Sequence, residues 1–257
     1  MAGTPLPKKA RIRLDQALVD RSLCASREKS KRAIMAGLVR INGRPASKPS
    51  DLVSPADEVV VEVPEKFVSR GGLKLEHALE EFGLDVTGVT AVDLGASTGG
   101  FTDCLLQRGA AKVYAVDVGQ GQLAWKLRND PRVVVMEKVN ARQITPSSFP
   151  APFQPVDLVV IDCSFISLRK IIPASIALIR TSGKIVALIK PQFEAGKAEA
   201  DKGAGVIRDP GIHQRVLREL EQFVATLPGL RWIATTPSPV LGPAGNREFL
   251  ALLEKVG

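Results

Sequence analysis

The sequence predicts an α/β protein with a mostly parallel sheet and helices on both of its faces, preceded by a small α+β domain. Three observations support this prediction. Short apolar strands alternate with helical segments along most of the 257 residues. A glycine-rich turn joins one of these strands to a helix within residues 91–103. Residues 1–63 carry twelve Lys or Arg against seven Asp or Glu, so most of the net charge of +8 lies in the first quarter of the chain.

The first domain is expected over residues 11–63. Apolar residues at helical spacing from Leu14 predict one helix, and Ser26 predicts the N-cap of a second helix over Arg27–Met35. Gly37 is suited to end that helix. Two strands should follow, the first over residues 38–41 before the tight turn Asn42-Gly43 and the second over residues 59–63.

The second helix should present one apolar and one basic side. Ala33, Ile34 and Met35 are the expected apolar positions, which leaves the basic residues for solvent. A charged face is most often merely solvated. However, residues 13–50 closely resemble the ribosomal S4-type RNA-binding domain, whose second helix and following strand turn face RNA. The resemblance implies phosphate contacts from Arg13, Arg27, Lys29, Lys31, Arg32, Arg40 and Lys48.

A linker is predicted over residues 64–69, and the second domain over residues 70–257. Arg70, which begins a flexible basic stretch with Gly71 and Gly72, is a further expected RNA contact, although a plain hinge is the alternative. The periodicity predicts helices over residues 73–82, 100–107, 122–129, 173–179 and 214–227. It predicts strands over residues 91–94, 113–117, 133–136, 156–161, 184–189, 231–235 and 246–253.

The glycine-rich turn has the pattern D-x-G-x-x-x-G-G, which lacks the middle glycine of the dinucleotide fingerprint. It resembles the first motif of Rossmann-like S-adenosylmethionine-dependent methyltransferases, although a structural turn in another α/β protein is the alternative. Asp117 ends the next strand and suits ribose hydroxyls. The cofactor-binding residues implied by the resemblance are Asp93, Gly95, Ala96, Ser97, Thr98, Gly99, Gly100, Phe101, Asp117, Asn140 and Asp162.

Four charged residues are expected to converge at one edge of the sheet. Asp162 and Lys190 each follow a buried strand, and ligands bind beyond the carboxyl ends of such strands. Glu248 lies near the start of the last strand, which reaches the same edge if that strand runs antiparallel. Lys74 lies near a helix start, where a cation opposes the helix dipole.

These residues, in the order Lys74, Asp162, Lys190 and Glu248, resemble the catalytic tetrad of FtsJ-like ribose 2'-O-methyltransferases. Together with the first domain, residues 11–254 resemble the TlyA family, whose members methylate cytidine 2'-hydroxyls of ribosomal RNA and are also named haemolysin A. The resemblance implies S-adenosylmethionine as cofactor, with ribosomal RNA and ribosomal subunits as partners. Lys190 is the expected base, Asp162 its orienting group beside the sulfonium, and the other two residues fix the network and the 2'-hydroxyl.

Other features bear on the compartment and on metals. The three cysteines form no CxxC pair, which indicates free thiols in a reducing compartment. His77 and His213 lie far from any cysteine cluster, so no metal site is expected. The first thirteen residues show no secretory pattern, and no run is apolar enough to span a membrane. These features predict a cytoplasmic protein.

Two other functions stay open at this point. An RNA- or ribosome-binding protein could hold the methyl donor without turnover, although the complete tetrad argues against it. A membrane-active haemolysin is the other alternative, but the basic helix is short. The segment from Glu194 to Pro210 is rich in glycine and charge, and it is either a loop that closes over RNA or a plain connection.

Overall fold

A computed structural model of the chain describes residues 11–62 and 65–256. It divides into two compact units, with the boundary between Glu65 and Lys66. Residues 1–10, on which the absence of a secretory pattern largely rests, lie outside the described residues. So do Val63 and Pro64, which mark the predicted end of the first domain and the predicted start of the linker. The second unit begins with a packed segment, since Phe67 is buried within it.

Over residues 11–62, the first unit is a small α+β domain with two helices and five short strands. The helices are α1 (Leu14–Asp20) and α2 (Arg27–Met35). The strands are β1 (Ile12–Arg13), β2 (Val39–Ile41), β3 (Arg44–Pro45), β4 (Leu52–Val53) and β5 (Val59–Val61). Strand β1 pairs antiparallel with β4, and β2 lies between β3 and β5 in an antiparallel sheet. The core is formed by Leu14, Ala17, Leu18, Ile34, Val39, Val53 and Val59.

The ends of α2 follow the sequence signals. The Ser26 hydroxyl accepts a hydrogen bond from the backbone N–H of Lys29 at 3.3 Å. Gly37 has a φ of 73°, and its N–H donates to the Ile34 carbonyl at 3.0 Å. The prediction that Met35 faces the core is wrong, because this side chain is 74% exposed. Met35 follows the buried Ile34 by one residue, which is about 100° around the helix.

The second unit is built on one seven-stranded sheet. Its strands are β6 (Thr90–Leu94), β7 (Lys112–Val116), β8 (Val133–Met136), β9 (Val156–Ile161), β10 (Ile179–Ile189), β11 (Leu230–Pro237) and β12 (Phe249–Lys255). Their order across the sheet is β11-β12-β10-β9-β6-β7-β8. Strands β10, β9, β6, β7 and β8 are parallel to one another, whereas β12 runs antiparallel to both of its neighbours. The predicted mostly parallel sheet with an antiparallel last strand is therefore confirmed.

Apolar layers cover both faces of this sheet. Along β9, Val159 and Ile161 face one layer, and Leu158 and Val160 face the other. Burial on both faces explains why this strand reads as a continuous apolar run. The helices of this unit are α3 (Gly71–Glu81), α4 (Gly100–Gln107), α5 (Trp125–Arg128), α6 (Ile172–Ser175), α7 (Pro191–Glu194), α8 (Lys197–Lys202) and α9 (Pro210–Ala225).

Some predicted boundaries need correction. The helix predicted over residues 122–129 is reduced to α5, because the chain before it is held extended where the Ala124 N–H donates to the Thr98 carbonyl. The helix predicted over residues 173–179 becomes α6 followed by a 3-10 turn, Ile176–Leu178. The segment expected to be a loop from Glu194 contains α8. The last strand begins at Phe249, so Glu248 lies one residue before it.

Candidate active site

One edge of the sheet gathers the four predicted tetrad residues. Asp162 directly follows β9, and Lys190 directly follows β10. Since β12 runs antiparallel to β10, Glu248 at its start reaches the edge where β10 ends. The fourth residue, Lys74, comes from the first turns of α3 and is buried. All four line one cavity of about 260 Å³.

Within this cavity the four residues form two ion pairs. Lys74 Nζ lies 2.5 Å from Glu248 Oε2, with side chains 8% and 1% exposed. Lys190 Nζ lies 2.6 Å from Asp162 Oδ1, with side chains 9% and 22% exposed. Charges this deep are found in proteins when an opposite charge accompanies them. The site is thus a low-water pocket with matched charges, which suits proton transfer and hydroxyl binding.

Two further polar atoms complete this arrangement. Lys190 Nζ also donates to the Ser164 hydroxyl at 2.8 Å, so the amine is held from two directions. The second carboxylate oxygen of Glu248, Oε1, is buried without a hydrogen-bond partner. A buried acceptor of this kind needs a donor, which a ligand or an ordered water molecule can supply. Ser164 was not singled out from the sequence, although it lies two residues after Asp162.

The glycine-rich turn is shaped by close packing as well as by conformation. Gly95 has a φ of 88°, and a Cβ atom added there would lie 2.9 Å from the Asp162 carbonyl oxygen. At Gly100 an added Cβ atom would lie 2.3 Å from the Ser69 hydroxyl. Both positions therefore exclude a side chain. The backbone of the turn therefore packs closely against the end of β9, beside the Lys190–Asp162 pair.

Asp93, at the end of β6, is fully buried under this turn. Its Oδ2 accepts hydrogen bonds from the backbone N–H and the hydroxyl of Thr102, at 3.0 and 2.7 Å. Its Oδ1 has no partner, and the residue lines the tetrad cavity. Burial raises the pKa of Asp93 to about 7, and the two Thr102 hydrogen bonds oppose this rise.

A second cavity, of about 500 Å³, extends from the turn toward β7 and is lined by Asp117 and Asn140. The carboxylate of Asp117 is held in place, since Oδ2 accepts from the Ser97 N–H at 2.8 Å and Oδ1 from the Gly119 N–H at 2.7 Å. The Asn140 side chain accepts from the Arg142 N–H at 3.0 Å. Apolar side chains, Ile166 and Ile171 among them, complete the wall.

The two cavities share Gly95, Ser97, Asp162 and Ser164 in their walls, so they adjoin each other. Most of the predicted cofactor residues line one or both of them. The smaller cavity has Asp93, Ala96, Thr98, Gly100 and Phe101 in its wall. Gly99 lines neither cavity; an added Cβ atom there would meet Leu127 at 2.3 Å, so this glycine permits packing.

The predicted RNA contacts of the first unit are partly engaged with neighbouring acids. Arg13 and Arg27 both bind the fully buried carboxylate of Asp15, at 3.0 and 2.9 Å. Lys31 pairs with Glu28, and Arg40 pairs with Glu62. Lys29, Arg32 and Lys48 are exposed. In the second unit, Arg70 is exposed and lines the tetrad cavity.

The sequence did not point to several residues beside the tetrad. Phe165 is 90% exposed, has a φ of 62°, and lies against Phe193 with ring centroids 5.3 Å apart. These two rings and Gln192 line a third cavity of about 320 Å³, which also reaches Lys190 and Glu248. In the sequence, Phe165 is an aromatic residue three positions after Asp162 in a loop, and hydrophobic periodicity does not assign a role to such a residue.

The free cysteines and the histidines take structural positions. Burial raises the pKa of both Cys104 and Cys163 to about 12, which disfavours the thiolate. The His213 ring lies 3.0 Å from the Ile207 carbonyl oxygen. Within residues 11–62 and 65–256, no group of three or more His, Cys, Asp or Glu is arranged to hold a metal ion. In that same part of the chain, no helix has the length and hydropathy to cross a membrane.

Comparisons with known proteins agree with this geometry. The model of the FtsJ-like methyltransferase family matches residues 67–255, and the S4 domain model matches residues 12–59. The chain is 47% identical over 245 residues to the 16S/23S rRNA (cytidine-2'-O)-methyltransferase TlyA of Mycobacterium tuberculosis, covering 95% of this chain and 90% of that protein. It is 42% identical to Hemolysin A of Brachyspira hyodysenteriae, covering 93% and 98%.

A solved structure of a protein described as a hemolysin, from Streptococcus thermophilus, is similar to this chain over most of its length. It superposes with a TM-score of 0.71 at 44% identity, covering 96% of this chain and 90% of the other. The family models together span both units, and the relatives are matched over nearly their whole length. The chain therefore belongs to the TlyA family, in which an S4 domain precedes an FtsJ-like methyltransferase domain.

Proposed function

We propose that this enzyme transfers a methyl group from S-adenosylmethionine to a ribose 2'-hydroxyl of ribosomal RNA, with cytidine as the acceptor nucleoside. One observation carries the proposal. The two lysine–carboxylate pairs line a cavity whose wall also includes residues of the glycine-rich turn, and this cavity adjoins the one lined by Asp117. A hydroxyl and a methyl donor can therefore meet at Lys190 and Asp162.

The residues beside the turn fit S-adenosylmethionine. Asp117 suits the ribose hydroxyls of the donor, and the apolar wall near Ile171 suits its adenine ring. The unpartnered Oδ1 of Asp93 suits the amino group at the methionine end. When bound, this cofactor supplies a methyl group already activated on a sulfonium sulfur. The protein therefore needs mainly to align the hydroxyl and to remove its proton.

Lys190 is the proposed base. Lys190 Nζ would take up the proton of the 2'-hydroxyl, and the methyl group that replaces it would come from the bound cofactor. The amine must be uncharged to accept this proton, so the ion pair with Asp162 describes Lys190 before it releases its own ammonium proton. Asp162 and Ser164, at 2.6 and 2.8 Å, fix the direction of the amine.

Glu248 and Lys74 are proposed to hold the acceptor hydroxyl. Lys74 compensates the charge of Glu248 through Oε2, which leaves Oε1 free to accept a hydrogen bond. The hydroxyl oxygen can accept a hydrogen bond from Lys74 Nζ, so its single proton stays directed at Lys190 Nζ. Phe165, nearly fully exposed at the mouth, offers a surface on which the target base can stack.

We further infer that the substrate is presented as a ribosomal subunit and that the reaction takes place in the cytoplasm, where that RNA resides. The S4 domain supports RNA binding. The pairs formed by Lys31 and Arg40 are surface pairs of about 0–1 kcal/mol, so a phosphate group can displace the acids. Arg70 at the tetrad cavity would continue this contact to the reacting nucleotide.

The test is methyl transfer from labelled S-adenosylmethionine to ribosomal subunits that lack the modification. The unaltered chain should label RNA at a position that resists alkaline cleavage, since a 2'-O-methyl group blocks that reaction. Lys190→Ala should lower the rate by at least about 100-fold, the usual contribution of a general base. Lys170→Ala, at an exposed lysine outside the cavities, is the matched control and should keep the rate.

Two outcomes would contradict the proposal. The first is an absence of label on any RNA while binding of S-adenosylmethionine is intact by calorimetry, which would indicate a binding protein without turnover. The second is label that stays sensitive to alkali, which would indicate methylation of a base. A Lys190→Ala variant with full activity would contradict the role of that lysine alone.

A further inference from the structure

Gln192 occupies a position that the mechanism above does not use. It lies in α7, two residues after Lys190, and lines the 320 Å³ cavity together with Phe165 and Phe193. This cavity reaches Lys190 and Glu248 but includes neither Asp117 nor any residue of the glycine-rich turn. It is thus the part of the site that the methyl donor leaves free, and its aromatic walls suit a planar base.

The polar side chains of this cavity are almost all committed to other partners. Asn246 uses both ends of its amide, since Oδ1 accepts from the Ile207 N–H at 2.9 Å and Nδ2 donates to the Gly205 carbonyl at 2.8 Å. Ser164 accepts from Lys190. Lys190 and Glu248 each belong to an ion pair, and the other carboxylate oxygen of Glu248, Oε1, lies in the tetrad, which is proposed to hold the ribose rather than the base. These groups therefore have little capacity left for reading a base.

Gln192 lies outside the tetrad. Its side-chain carbonyl oxygen, Oε1, is buried and has no hydrogen-bond partner among residues 11–62 and 65–256. A buried acceptor without a donor is unfavourable, so its presence on a residue that lines a cavity needs an explanation. A ligand that brings an N–H group into the cavity would remove that cost.

We propose that Gln192 Oε1 accepts a hydrogen bond from the exocyclic amino group of the target base, and thereby makes the enzyme prefer cytosine to uracil. The inference rests on the proposed function. Cytosine carries an amino donor at the position where uracil carries a carbonyl acceptor. Uracil would therefore leave the glutamine oxygen unpaired and place a second acceptor against it, and sites built for a donor reject analogues that lack one.

The experiment compares acceptor bases within one RNA context. Once the methylated position is located, ribosomal subunits are reconstituted from transcribed RNA with cytidine or uridine at that position, and kcat/KM is measured for each. Gln192→Leu removes the acceptor at similar size, whereas Gln192→Glu keeps an acceptor that cannot turn into a donor. Gln222→Leu, at an exposed position of α9, is the matched control.

The unaltered chain and the Gln222→Leu variant should prefer cytidine. The Gln192→Leu variant should lose about 10- to 100-fold of its kcat/KM on cytidine and little on uridine, so the ratio should fall toward one. The Gln192→Glu variant should keep the preference even if its absolute rate falls. The ratio reports on base reading, because a general loss of folding or catalysis would lower both rates together.

The outcomes separate this inference from the proposed function. If the unaltered chain methylates neither RNA, the proposed function is contradicted. If it methylates cytidine and the Gln192→Leu variant keeps the same ratio of cytidine to uridine, the role of Gln192 is overturned. A Gln192→Glu variant that loses the preference would also overturn it, because the acceptor would then be present without effect.

Discussion

Asp15 shows how a single buried charge can organise a basic surface. Its carboxylate is fully buried, whereas the Arg13 and Arg27 side chains that bind it are about half exposed, at 48% and 51%. The hydrogen bond from Arg13 is the main cause that lowers the pKa of Asp15 from its ordinary value of 3.8 to about 2. Two arginines are thereby held side by side, as a phosphate contact requires.

This arrangement predicts a defined pH dependence. Because the folded pKa of Asp15 lies below the unfolded value, its contribution to the free energy of unfolding is present above about pH 4. It is lost as the pH falls toward 2. Asp15→Asn should flatten that part of the profile and lower stability near neutral pH by about 1–3 kcal/mol. The measurement is urea unfolding from pH 2 to pH 7.

Asp20→Asn is the control, since Asp20 is exposed and bonds to Gln16 on the same helix. It should leave the profile nearly unchanged. The Asp15→Asn variant should also bind RNA more weakly, because its arginines are no longer fixed. An Asp15→Asn profile with the same slope below pH 4 would show that Asp15 is not the titrating group.

Substitution of Phe165 is expected to lower activity while leaving stability nearly unchanged. Because it is 90% exposed, Phe165→Ala should change the melting temperature little. Stacking of one base on an aromatic ring contributes about 1–3 kcal/mol, so kcat/KM on ribosomal subunits should fall about 10- to 100-fold. Trp125→Ala, at another exposed aromatic residue that is 78% accessible, is the control for surface aromatics. Equal effects of the two substitutions would argue against stacking on Phe165.

At the scale of an element, the strand-to-helix turn depends on the close approach of two backbones. An alanine at Gly95 would meet the Asp162 carbonyl and adopt an unfavourable φ of 88°. Gly95→Ala should therefore both destabilise the protein and weaken S-adenosylhomocysteine binding at least about tenfold, since the turn must move away from β9. Calorimetric binding and thermal unfolding measure the two effects.

Gly88→Ala is the control that separates the cost of an unfavourable backbone φ from the cost of a steric clash. Gly88 also has a positive φ, 72°, but an added Cβ atom there would meet nothing within 4 Å. The free energy of unfolding of this variant should fall by about 1 kcal/mol because of its backbone conformation alone, and the variant should still bind S-adenosylhomocysteine. If Gly95→Ala binds as tightly as Gly88→Ala, the contact with β9 has no part in forming the site.

At the scale of the whole molecule, the pattern of apolar strands in the sequence predicts which residues lie at the ends of those strands. Asp162 and Lys190 could be assigned to one edge because each ends a continuous apolar strand. Glu248 required the additional expectation of an antiparallel strand, which the resemblance to a family provided. Gly95 could be recognised from its motif, whereas its packing against Asp162 depends on strand order.

Residues outside periodic segments were harder to assign. Phe165 lies in an irregular stretch and Gln192 in the four-residue helix α7, where cavity walls are set by several segments together. Asn246 reads as the polar first residue of the predicted last strand, and its two bonds to residues 205–207 arise from tertiary packing. The buried charge of Asp15 is compensated by Arg13 and Arg27, which lie on neighbouring elements. Such features depend on contacts between distant segments, which local sequence does not contain.

Strand β12 lies between β10 and β11, although it follows both of them along the chain. Glu248, the residue before β12, pairs with Lys74, which lies 174 residues earlier in the chain. During translation, Lys74 thus emerges early and waits unpaired until almost the entire methyltransferase domain has been synthesised. Until β12 is made, β10 forms the edge of the sheet and β11 has no strand to pair with. An unfinished polypeptide therefore has no assembled tetrad, and the capacity for methyl transfer arises late, once β12 lies between its two neighbours.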